Sequence, residues 1–237
     1  MILFDRRPEL CAAGPWAAVS CIIGRWLVCD DGDDQVRSVD NGKFDHCGIV
    51  VPGYVKKKGD EFDPSNLYLL EATAGQGIVA RPLLTRIEMS QSRSMILLPL
   101  ATAGERRGDE NYEPGPNTKR TREYMDKQLV KYRDTWVDLS QKGGYKWAHS
   151  TLAIAGAVAW ATGLQKYSSG PTSPSAYFVV LALKQAGVYQ DMSEEMTLSL
   201  KVEDFLRDHR FQETEAIRLR PGFKFLAPVS MRESSMT

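Results

Sequence analysis

Three residues of this chain have the types that a nucleophile, a base and an orienting carboxylate require: Ser175, His46 and Glu71. His46 lies in an apolar, β-branched run, Phe44 to Val51, that reads as a strand and stops at the turn signal Pro52-Gly53. An imidazole there is aimed by the sheet, as a general base must be. Glu71 stands near the end of a second apolar run, Leu67 to Ala72, ahead of the glycine turn Gly75-Gln76-Gly77. On a neighbouring strand it can accept from the far ring nitrogen of His46 and fix the tautomer. Ser175 comes after Pro174 and opens an apolar helix marked by Phe178, Leu181 and Ala182, which ends at Gly187. A small nucleophilic side chain at a helix start sits where the helix dipole favours negative charge. The three together match a nucleophile–base–orienter triad. Each also has a plain structural reading: a core histidine, a strand-end carboxylate facing water, and a serine N-cap accepting from the free N–H groups of the first turn. The residue types alone leave both sets open.

These residues need a scaffold. Ile2-Leu3-Phe4, Ile78-Val79-Ala80 and Ser94 to Leu100 read as further strands, and Pro82 to Ile87 as a short helix or turn. Short strands joined by short turns imply an antiparallel sheet. Pro8 to Arg25 looks helical in its second half. Arg122 to Ser140 is an amphipathic helix, with Tyr124, Leu129, Tyr132 and Trp136 on one face. A small-residue helix is expected around Ala153 to Thr162, a helical turn at Val202, Phe205 and Leu206, and a final strand at Leu219 to Leu226. Strands, then helices, then a last strand make an α+β fold, an antiparallel sheet packed against helices. There is no internal repeat. One domain over residues 1–237 is expected, with loop insertions at 30–42, 54–66 and 102–121.

Bulk composition narrows the function classes. Thirty basic residues balance thirty acidic ones, which argues against a general nucleic-acid binder. With 43% hydrophobic and 25% charged residues, the composition is that of an ordinary globular protein. The four cysteines, Cys11, Cys21, Cys29 and Cys47, form no CxxC pair, so zinc-ribbon spacing is absent and reduced thiols are expected. His149 opens the small-residue helix and His209 lies in a polar stretch. No metal and no cofactor are expected. The run Leu152 to Leu164 is too short to span a bilayer; it reads as core, or as the lining of a small-molecule or lipid pocket. The start lacks the basic-then-apolar order of a signal peptide, so the expected location is the cytoplasm.

The pattern resembles the circularly permuted papain-like enzymes of the NlpC superfamily, the YiiX/YaeF-like amidase group. His46-Cys47-Gly48-Ile49-Val50 matches that group's first histidine strand, and Leu69-Leu70-Glu71-Ala72 its second strand. Gly77-Ile78 matches the turn after that strand, with Pro82-Leu83 beyond it. Ser175 to Val188 aligns without a gap with the late nucleophile helix, and Ala186-Gly187-Val188 falls in register. Val202 to Leu206 resembles the turn before the last strand. The resemblance implies a permuted papain-like fold with catalytic positions at Ser175, His46 and Glu71, and amide bonds of peptides, cell-wall peptides or lipid-like molecules as substrates. The group's nucleophile is cysteine, and here its position holds Ser175. This leaves two readings. One is a catalytically inactive protein acting as a binding or structural subunit in a larger intracellular assembly, with protein partners and a peptide or lipid-like ligand as a further expectation for the cleft. The other is an active amidase, peptidase-like hydrolase or acyltransferase using Ser175, His46 and Glu71.

Overall fold

Strand β2 (His46–Pro52) organises the sheet, because both of its faces are buried and its first residue is His46. β1 (Ile2–Asp5) lies on one side of it and β3 (Leu67–Thr73) on the other. With β4 (Gly77–Pro82), β5 (Ser94–Leu97) and β8 (Val229–Met231) they form one sheet in the order β4-β3-β2-β1-β5-β8. Every neighbouring pair is antiparallel. β6 (Leu100–Thr102) and β7 (Phe223–Phe225) form a separate two-stranded sheet. The computed structural model describes residues 1–5, 44–55, 63–73, 77–90, 92–102, 116–142, 173–189, 193–206 and 219–231. The elements expected at Pro8 to Arg25 and Ala153 to Thr162, the 30–42 insertion, His149, His209 and three of the cysteines lie outside these residues.

The α+β architecture with an antiparallel sheet is as the sequence implies; several details differ. The expected strand from Ser94 to Leu100 is two strands in two sheets. Pro99 lacks an N–H and cannot continue a ladder, while its carbonyl accepts from Leu226 N at 2.9 Å. The last strand is likewise two, and the second, β8, joins the main sheet. The 102–121 insertion ends in helix, since α2 runs Pro116–Gln141. Within 54–66 a single 3-10 turn, Pro64–Asn66, is capped by the Asp63 carboxylate. The helix Glu194–Ser199 had no periodic signal in the sequence.

Period-two alternation sorts side chains onto the two faces of the sheet. Leu3, Cys47, Ile49, Val51, Leu70 and Ile96 face the main core, where α2 and α3 (Pro174–Gln185) pack. Ile2, Phe4, Leu69 and Met95 face a smaller cluster closed by Leu83 and Ile87 of α1 (Leu83–Glu88). α3 is apolar nearly all round, with Ala176, Phe178, Val179, Val180, Ala182 and Leu183 all buried, as a helix enclosed in a core must be. Leu181, expected on the core face, is only half-buried. The Tyr132 hydroxyl of α2 donates to Phe178 O of α3 at 3.0 Å, with the rings 5.1 Å apart. Tyr124, expected on the same face of α2, is exposed instead. No helix among the described residues is long and apolar enough to cross a membrane.

Candidate functional site

Strand register builds the histidine–carboxylate pair. Gly48 of β2 stands opposite Glu71 of β3. His46 is two residues before Gly48, so it shares that face and is the diagonal neighbour of Glu71. Across β3, Glu71 stands opposite Val79 of β4, and Arg81 is two residues further along the same face. Glu71 is therefore flanked diagonally by an imidazole on one side and a guanidinium on the other. α1 folds over this face and brings Arg86 down onto the carboxylate. Gly48 leaves the room. A Cβ there would stand 2.9 Å from Glu71 Cγ and 3.0 Å from Leu69 Cδ1.

His46 Nε2 lies 2.9 Å from Glu71 Oε1. Arg86 donates through Nε to Oε2 at 2.8 Å and through Nη2 to Oε1 at 3.0 Å, and Arg81 Nη1 donates to Oε2 at 3.3 Å. Both carboxylate oxygens are thus saturated. Glu71 is completely buried. Burial pushes its pKa up, but the hydrogen bond and charge of His46, followed by those of Arg86, outweigh this and bring it from 4.5 to about 2. An ionised carboxylate has no proton to give, so the hydrogen between the two groups belongs to Nε2 of His46. In the neutral ring that leaves Nδ1 as the acceptor. The ring is steadied by Phe4, opposite it on β1 at 5.8 Å between centroids, and the Arg86 guanidinium lies 4.6 Å from the Phe4 centroid.

Ser175 reaches the same end of the sheet from the other layer. The expectation that it caps its helix is corrected: Ser173 is the N-cap, and its hydroxyl accepts from Ala176 N. Pro174 takes the first helical position, where its fixed φ and missing N–H suit a helix start, and this moves Ser175 inside the first turn. The helix stop is as expected. Gly187 has φ 75°, Gly187 N bonds Lys184 O, and Val188 N bonds Leu183 O, which is the Schellman arrangement. The β2–β3 ladder ends at Gly48–Glu71, and the Ser175 hydroxyl accepts from Cys47 N at 3.3 Å just beyond it. Ser173 Oγ is 3.5 Å away. Glu71 and His46 are therefore joined directly, and Ser175 is joined to the backbone of the residue after His46. Ser175 and His46 are 5% and 4% exposed, so little of either is open to solvent.

Arg81 and Arg86 were missed by the sequence reading, although a signal existed. A carboxylate within Leu69-Leu70-Glu71-Ala72 has to find positive charge if it is buried, and two arginines come within the next fifteen residues. Among the described residues, no group of histidine, cysteine or acidic side chains is placed to hold a metal ion. No protein-family model, curated protein or solved structure matches this chain.

Proposed function

We propose that the chain is a catalytically inactive protein built on a permuted papain-like frame, acting as a binding or structural subunit with protein partners. The observation that carries this is the state of Ser175: its hydroxyl is buried and accepts a backbone hydrogen bond from Cys47. A thiol at a helix start is turned into a thiolate by its surroundings. A hydroxyl is far less acidic and must be deprotonated during attack by a base that becomes positive. The cluster is poorly suited to that. Arg81 and Arg86 against Glu71 already sum to one positive charge, two minus one, before His46 takes a proton. Glu71 is shared among three donors rather than reserved for the imidazole.

The 2.9 Å His46–Glu71 contact favours a second reading, a hydrolase or acyltransferase acting on amide or ester carbonyls. There Ser175 is the nucleophile, His46 the base and Glu71 its orienter, with peptides or lipid-like molecules as substrates. Activity-based labelling separates the two. Wild type, Ser175→Cys and His46→Ala are exposed to a fluorophosphonate and to a thiol-reactive acyl probe. The inactive reading expects no fluorophosphonate label on the wild type. Label on Ser175 that disappears in His46→Ala establishes the hydrolase and overturns it. Label on Ser175→Cys alone shows a formed site disarmed by the serine.

A further inference from the structure

The far end of β2 carries a second feature, unconnected with the histidine–carboxylate pair. Seven residues separate His46 from Gly53, which at about 3.3 Å per residue places it roughly 23 Å away. A cavity of about 650 Å³ opens there, between the β2–β3 hairpin end and the second half of α2, within the usual size range of ligand sites. Tyr54 and Tyr68 give it aromatic walls. Its charged lining is Asp63, Asp134 and Asp138 against Arg133 alone, three minus one, a net charge of minus two.

Arg133 is committed to the fold. Its Nη1 donates to Pro52 O at 2.8 Å and Gly53 O at 2.6 Å, and its Nε and Nη2 both donate to Asp134 Oδ1. It ties α2 to the hairpin and is not available to hold an anion. The carboxylates are less committed. Asp134 uses only Oδ1, and Asp138 meets Lys142 only through Oδ2 in an exposed pair. Such surface pairs contribute little and exchange readily. Asp134 and Asp138 are also four apart on one helix, where like charges repel. An incoming cation relieves that repulsion and finds a tyrosine face beside it.

We infer that this cavity binds an organic cation, an ammonium or guanidinium group on an apolar stem, as presented by a lysine or arginine side chain of a protein partner. A free polyamine presents the same chemistry, and the test includes it. NMR titration of the full chain with acetyl-Gly-Arg-Gly-amide, with acetyl-Gly-Glu-Gly-amide and with spermidine reads the site directly. The arginine peptide is expected to give saturable shifts at Tyr54, Tyr68 and Asp138, weakened by salt, and the glutamate peptide none. Asp138→Asn and Tyr54→Ala, both at exposed positions, leave the fold intact and are each expected to weaken binding by about tenfold, the loss of one charge-assisted contact. Spermidine binding without peptide binding supports the site and assigns it to a small polyamine. No saturable shift with either cation up to about 10 mM, weaker than any useful Kd, overturns the inference. So does binding that both variants leave unchanged.

Discussion

Protonating Glu71 should cost the fold more than protonating any ordinary surface carboxylate. Its pKa is 4.5 as the free side chain and about 2 in the fold. A depressed folded-state value means the ionised form is bound more tightly by the native state. The stability it contributes is complete above pH 4.5 and is lost as the pH falls through 2. The difference of about 2.5 units corresponds to about 3 kcal/mol at 1.36 kcal/mol per unit. Glu71 is fully buried, so solvent screening does not reduce this much. The assay is urea unfolding of wild type and Glu71→Gln at pH steps from 7 to 2. Glutamine keeps the shape and an acceptor but has nothing to titrate. The variant is less stable at pH 7, and the gap should close by about 3 kcal/mol towards pH 2. The remaining carboxylates titrate in both proteins and cancel in the comparison. Parallel curves, with a constant gap across the range, would mean that Glu71 is not held ionised by His46 and Arg86. The tautomer assigned to His46 would then lose its basis.

Gly48→Ala should destabilise by about 1–3 kcal/mol, because the new methyl meets Glu71 Cγ at 2.9 Å and a carboxylate held by three partners cannot step aside; thermal unfolding measures it, and no loss would mean the pair is loosely held. Ser173→Ala should cost about 1 kcal/mol as the loss of an N-cap and lower the helix signal in circular dichroism, whereas Ser175→Ala should leave that signal intact. Gly187→Ala should cost about 1–2 kcal/mol from its left-handed backbone alone, since a Cβ there has ordinary room, 3.6 Å from its nearest neighbour; urea unfolding checks it.

The sequence carried the strands and the helix stop well, because both rest on local chemistry. β2 is a β-branched run closed by Pro52-Gly53, and α3 ends where a glycine can turn left-handed. It carried less wherever the answer depended on which strand a segment joins. Nothing within Ser94 to Leu100 tells that Pro99 separates two sheets, because the partners of the two halves lie in β1 and β7. The helix start was displaced by two residues for a similar reason. Ser173 and Ser175 are equally good caps by type, and the choice falls to Pro174 at the first helical position. At the site, His46 and Glu71 were visible as residue types. Their contact needed the register Gly48–Glu71, which no single-strand pattern contains. Arg81 was a surface-looking residue until β4 was paired.

The register also bears on what the His46–Glu71 contact means. Glu71 stands in the middle of a buried strand pair with no water to share its charge. Removing a single partner from a buried ionic cluster typically costs about 3–5 kcal/mol, since the charge left behind is uncompensated. His46, Arg86 and Glu71 thus hold one another in place for reasons of folding, whatever chemistry takes place beside them. A substitution at any of the three is penalised in a protein that catalyses nothing. The pair itself therefore does not discriminate between an enzyme and an inactive scaffold. Ser175 does, since its hydroxyl contributes one long hydrogen bond to Cys47 N and can be changed at little cost to the fold. Its reactivity, rather than the geometry of the histidine and the carboxylate, decides between the two functions.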